Sequence, residues 1–99
     1  MEEPMKEQDY QKKIVKLLES RGAYVVKVIT ASRKGVPDII ALCEGIFIAI
    51  EVKTPSTMNN VSKLQEFNLK QINDKGGIAI VAWSVDRVEE ILDELKEAV

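Results

Sequence analysis

Two apolar runs, residues 36–43 and 46–53, are separated only by Glu44-Gly45, and this constrains the chain more than any other feature. A two-residue connection containing a glycine that can take positive φ fits a tight β-hairpin. Counting outward from that turn pairs Cys43 with Ile46 and Leu42 with Phe47, and brings Asp38 opposite Glu51. Side chains opposed in this way project to one face with Cβ atoms roughly 5 Å apart. Lys53, two residues beyond Glu51, shares the face because strand side chains alternate. Two carboxylates and a lysine therefore converge beside otherwise apolar strands.

Like charges so opposed are destabilising unless something neutralises them. A divalent cation does so, and hard oxygen ligands favour magnesium or manganese. In the alternative reading Glu51 pairs with Lys53 or Lys27 at the solvated end of the sheet, and Asp38 closes a Pro-Asp turn. Spacing alone does not choose between the two.

Around the hairpin, residues 6–21 place Glu7, Gln11, Ile14 and Leu18 on one helical face that Arg21-Gly22 ends. Residues 23–29 are rich in valine and isoleucine and read as a strand, followed by a polar loop over 30–35. Residues 54–60 form a second loop, and Ser62-Lys63-Leu64-Gln65 is a capping box opening a helix that runs to about Lys75. Gly76-Gly77 stops it, residues 78–83 make a fourth strand, and Asp86-Arg87-Val88-Glu89 reads as a second capping box. The order is α-β-β-β-α-β-α, and the helix between the third and fourth strands permits a parallel crossover. An α/β fold follows, a mixed four-stranded sheet flanked by helices, with the hairpin strands covered on both faces.

Composition narrows the chemistry. The 99 residues, 45 % hydrophobic and 30 % charged, form one domain over 1–99 that dimerisation would help stabilise. No apolar stretch approaches the roughly 20 residues of a membrane span, and no apolar block opens the chain as a signal peptide, so a cytoplasmic protein is expected. Cys43 has no second cysteine and no histidine with which to bind zinc, and reads as a buried apolar residue. The absence of histidine removes serine-histidine and cysteine-histidine catalysis, leaving carboxylates, lysine and a hard metal for any hydrolysis. Net charge is -2, yet residues 27–70 carry six bases against four acids. With a cation on Asp38 and Glu51 that segment becomes distinctly basic, as a phosphate-binding face needs, although ordinary solvated charge explains the pattern equally well.

Gly35-Val36-Pro37-Asp38, followed after twelve residues by Glu51-Val52-Lys53, resembles the Pro-Asp…Glu-x-Lys signature of restriction-endonuclease-like nucleases. With Glu7 to Gln11 before it and Ser62-x-x-Gln65 after it, the pattern is similar to the virus-type replication-repair nuclease (VRR-NUC) family over residues 5–85. The resemblance implies a restriction-endonuclease-like αβββαβ core with a C-terminal helix, and metal-dependent hydrolysis of DNA phosphodiesters. Asp38 and Glu51 would bind Mg2+ or Mn2+, with the main-chain carbonyl of Val52 and the carboxylate of Glu7 as further candidate ligands. Lys53 would orient the attacking water and stabilise charge developing on the phosphate. Glu7 corresponds to the family's acidic residue on the first helix, though a first-turn glutamate is also favoured by the helix dipole. Gln65 matches a glutamine placed to touch metal-bound water or DNA, though the capping box also accounts for it.

Arg33 and Lys34, in the loop before Asp38, and Lys63 at the start of the helix that the Ser62 capping box opens are candidates for phosphate contacts. Trp83 ends an apolar strand and fits core or dimer packing better than a base-stacking role. No organic cofactor is expected. Stand-alone members resemble Holliday junction resolvases, which implies a homodimeric, structure-selective endonuclease acting on branched DNA, of phage or mobile-element type. A flap, end or duplex nuclease of the same fold, and an idle DNA-binding or assembly subunit, stay open as alternatives.

Overall fold

The computed structural model describes residues 5–98. Its elements follow in the order α1 (Glu7–Ser20), β1 (Tyr24–Lys27), β2 (Ile39–Cys43), β3 (Ile46–Val52), α2 (Lys63–Asp74), β4 (Ile78–Ala82) and α3 (Val85–Ala98). The α/β class, the element order and the mixed four-stranded sheet expected from the sequence are all present. The strands lie side by side in chain order, antiparallel from β1 to β3 and parallel between β3 and β4. α2 supplies the crossover that a parallel pair requires.

The hairpin has the register read from its turn: Cys43 faces Ile46, Leu42 faces Phe47 and Ile39 faces Ile50. Glu44 and Gly45 both have positive φ, 55° and 76°, the combination of a type I′ turn whose twist matches that of its strands. One face of the sheet packs on α1 and α3. Ile14 and Leu18 of α1 and Val88 and Leu92 of α3 meet Ile39, Ala41, Cys43, Ile48, Ile50, Val52 and Ala82, all buried. The guanidinium of Arg21 joins the two helices at the surface, 3.3 Å from Glu89 and 2.9 Å from Asp93.

On the opposite face α2 contacts only β3 and β4. Coverage of the hairpin from both sides, expected from its apolar composition, is therefore incomplete: Tyr24, Leu42 and Phe47, cross-strand neighbours on this face, are 72, 53 and 41 % exposed. The reason is size, because one helix about 10 Å across covers roughly two strands spaced about 4.8 Å apart.

At α2 the capping box forms as read: the Gln65 N–H donates to Ser62 Oγ at 3.1 Å, and the Ser62 N–H donates to Gln65 Oε1 at 2.9 Å. At α3 the cap lies two residues earlier than expected. Ser84 Oγ accepts from the Arg87 N–H at 3.2 Å, and Asp86 sits within the first helical turn. An acid there still meets the positive end of the helix dipole, which is why Asp86 resembled a cap. No helix among the described residues is long and apolar enough to cross a membrane.

Candidate active site

The paired part of β2 and β3 ends at Ile39 and Ile50, and one step further the side chain of Asp38 enters the ladder itself. Its Oδ2 accepts from the Val52 N–H at 2.8 Å, while its main-chain carbonyl accepts from the Val28 N–H at 2.8 Å. Asp38 is thus held from both neighbouring strands. Buried Pro37 precedes it and, lacking an N–H, cannot extend the ladder.

Glu51 is only 3 % exposed. Burial pushes its carboxyl up from an ordinary 4.5 to about 8, the hydrogen bond to Asp38 and the charge of Asp38 push the same way, and Lys53 opposes. A buried carboxyl beside a second carboxylate holds a proton because two adjacent negative charges in a low-dielectric setting repel. Lys53 follows on the same face, half-buried, its N–H donating to the Ala82 carbonyl at 2.9 Å, so the end of β4 fixes its backbone.

Glu7 comes from the first turn of α1, and its charge also raises the Glu51 carboxyl. Gln11, buried one turn later, lies with Nε2 3.5 Å from Glu7 Oε1 and holds it on the inward side of the helix. Asp38, Glu51 and Lys53 therefore lie at one end of the hairpin, and Glu7 on α1 is near enough for its charge to act on Glu51. Gln65 is partly committed elsewhere, since its Oε1 serves the α2 cap.

Arg33 and Lys34 are exposed in the loop before β2, and Lys63 is exposed at the first position of α2. Sequence reasoning missed what fixes that loop. Asn68, 5 % exposed in the middle of α2, donates through Nδ2 to the Lys34 carbonyl at 3.1 Å and to the Leu64 carbonyl at 2.8 Å. An asparagine amid strong helix formers was the available signal. Gly35, at φ +79°, runs so close to α2 that a Cβ would stand 2.8 Å from the Leu64 carbonyl carbon. Trp83 also differs from simple packing: the Arg87 guanidinium lies 4.6 Å from its ring centre, and Arg87 Nε donates to the Val81 carbonyl at 2.7 Å.

The donor chemistry fits a hard divalent cation. Among the described residues no three carboxylate, thiolate or imidazole side chains stand together as a complete cage. Magnesium needs only one or two carboxylates and keeps several waters, which Asp38 and Glu51 can satisfy.

Comparison with known proteins agrees with this geometry. A family model described as archaeal Holliday junction resolvase (hjc) matches residues 2–97. A solved structure described as a VRR_NUC domain superposes with a TM-score of 0.74 at 24 % identity, covering 88 % of this chain and 94 % of that one. At that identity the superposition establishes the restriction-endonuclease-like fold. A search of curated proteins finds no match. The family model spans nearly the whole chain, and the protein belongs to the archaeal Holliday junction resolvase (Hjc) family of nucleases.

Proposed function

We propose that the protein is a divalent-metal-dependent, structure-selective DNA endonuclease that resolves four-way junctions as a homodimer. The observation that carries this reading is the pairing of buried Glu51 with Asp38 at the end of a hairpin, in a chain matched along its length by a junction-resolvase family. Asp38 and Glu51, with the Val52 carbonyl and Glu7 as further candidate ligands, would hold Mg2+ or Mn2+. The bound ion supplies Lewis-acid polarisation of the phosphate and lowers the pKa of coordinated water.

The chain's own residues do the rest. The Val52 N–H fixes one Asp38 oxygen and leaves the other carboxylate oxygen for a ligand. Glu51 would release its proton to solvent on binding a cation, which would take the proton's place as the neutralising charge. The Lys53 ammonium, on the same face, orients the nucleophilic water and stabilises charge developing on the phosphate. Gln65, with Oε1 committed to the helix cap, has its Nε2 hydrogens to offer to that water or to the backbone. Arg33, Lys34 and Lys63 are the proposed phosphate contacts; they position the duplex arms without reading bases.

The test is cleavage of labelled four-way junction, flap, splayed-arm and linear duplex DNA in Mg2+ or Mn2+ by the native chain, Asp38→Ala and Lys53→Ala. Paired nicks in the junction by the native chain alone, with both variants still binding, support the reading. Preferential cutting of flaps, ends or duplex would replace the junction assignment with another activity of the same site. The net charge of -2 favours a second reading, an idle DNA-binding or assembly subunit. Survival of every substrate in both metals would favour it.

A further inference from the structure

Arg87 is the only base between Lys75 and Lys96. It stands in the first turn of α3, where the helix dipole opposes a cation. Asp86, Glu89 and Glu90 are its neighbours in the chain, yet among the described residues it makes no ion pair. Two other contacts fix it. Nε donates to the Val81 carbonyl at 2.7 Å, and the guanidinium lies 4.6 Å from the centre of the Trp83 ring, within cation–π range. The first contact closes the outer edge of β4, which Asn73 closes two residues earlier by donating to the Ala79 carbonyl at 3.0 Å and accepting from its N–H at 2.8 Å. Sealing that edge uses one of the five guanidinium hydrogens. The others, on Nη1 and Nη2, have no partner among the described residues, and no side-chain nitrogen there is both buried and unpartnered, so the fork opens to solvent.

We infer that Arg87, braced on Trp83, binds a backbone phosphate of the DNA strand that runs past Asp38 and Glu51. Its place in the fold supports this. Val52 of β3 pairs with Ala82 of β4, and the Lys53 N–H donates to the Ala82 carbonyl, so Trp83 comes level with Lys53. Adjacent strands lie about 4.8 Å apart, which puts the outer edge of β4 one strand's width beyond β3. Arg33 and Lys34 precede Asp38 on the β2 side, and Arg87 is the one base on the β4 side. A DNA strand crossing this end of the sheet from β2 to β4 therefore meets cations at both margins. A planar fork with its N–H pairs free matches two oxygens of a phosphate, and the ring beneath it keeps the fork from swinging away.

The inference deepens the proposed function and rests on the DNA-binding part of it, adding a phosphate position on the β4 side of the site. The acids of α3 are compatible with it. Asp86, Glu89, Glu90 and Asp93 follow at spacings of three, one and three, which gathers them on one helical face that Arg87 does not share. They repel DNA from the outside of α3 and leave Arg87, on its flank toward β4, as the point of approach.

The experiment uses the full chain and labelled four-way junction DNA, with binding read in Ca2+ and cleavage in Mg2+ or Mn2+. Native protein is treated with phenylglyoxal, which modifies accessible guanidinium groups, with and without the junction, and each arginine is scored by peptide mass. Bound DNA should slow modification of Arg87 severalfold and leave Arg21, paired with Glu89 and Asp93 past the far end of α1, unchanged. Arg87→Gln should weaken binding about tenfold, as loss of a charged hydrogen bond does, and lower the salt slope by about one. It should also raise KM more than it lowers kcat. Arg87→Lys should restore the salt slope but not the full affinity, because an ammonium lacks the fork. A role confined to sealing the β4 edge would lower the urea midpoint of Arg87→Gln and leave affinity, salt slope and protection as they are in the native chain; that result overturns the inference. If Arg87→Gln does not fold, the native chain decides: equal modification of Arg87 with and without bound DNA overturns it, as does a chain that binds no DNA. Arg87 protected in a complex that cuts nothing sinks the nuclease reading alone, and cleavage with Arg87 unprotected sinks this inference alone.

Discussion

Glu51 concentrates the tension of this molecule in one side chain. Its carboxyl is raised to about 8 in the folded chain, against 4.5 ordinarily, chiefly by burial and then by Asp38. A folded-state pKa above the unfolded value means that the native state binds the proton more tightly. The associated stability is complete below pH 4.5 and is lost as pH rises through about 8. Without divalent cation, thermal melting should therefore fall between those limits, and Glu51→Gln should melt on the order of 5 °C above the native chain at pH 9. Saturating Mg2+ should remove or reverse that difference, since the variant loses a ligand charge. An unchanged pH profile in Glu51→Gln would remove Glu51 from this role. Gly35 matters in a different way. With φ at +79° and Leu64 against it, Gly35→Ala should cost on the order of 2 kcal/mol or more by chemical denaturation and displace the loop that delivers Asp38. The carboxylate pair was legible in the sequence because a two-residue turn leaves no freedom in the count from Cys43 and Ile46 back to Asp38 and Glu51. Asn68 was not, because its partner is a main-chain carbonyl 34 residues away that no local pattern encodes.

At the scale of elements, the order, the hairpin register and the parallel crossover could be read directly, since each rests on local periodicity and connection length. The start of α3 could not. Ser84 and Asp86 both suit a helix cap, and what decides is that β4 ends at Ala82, leaving Trp83 and Ser84 to make the turn. α2 offers a cleaner test of a double assignment. Ser62→Ala removes one half of its capping box and Gln65→Ala the other, and each should destabilise the chain by about 1 kcal/mol in urea. If Gln65 also serves the active site, Gln65→Ala should lower kcat at least tenfold more than Ser62→Ala does at equal stability. Equal kcat in the two variants would confine Gln65 to the cap. Which strands α2 covers is likewise a tertiary matter: Leu42 looks like a core residue in sequence, and only the placement of the helix over β3 and β4 leaves it bare.

As a whole molecule, the protein places its acidic surface and its candidate chemistry apart. The acids of α3 line a cleft of Asp86, Glu89, Glu90 and Asp93, whereas the exposed Arg33, Lys34 and Lys63 precede and open the elements around Asp38. Binding of junction DNA should accordingly weaken steeply with salt, and Arg33→Ala or Lys34→Ala should each reduce the salt slope by about one without altering the preferred junction sequence. All of this depends on Asp38 and Glu51 sharing a divalent cation, and the most direct measurement is calorimetric titration of Mn2+ into the native chain and Asp38→Ala at pH 7, repeated in buffers of different ionisation enthalpy. The native chain should bind Mn2+ saturably with release of a large fraction of one proton, taken from Glu51, and Asp38→Ala should lose both the binding and the proton release. Mn2+ bound equally by the variant, or bound by the native chain with no proton released, would contradict it.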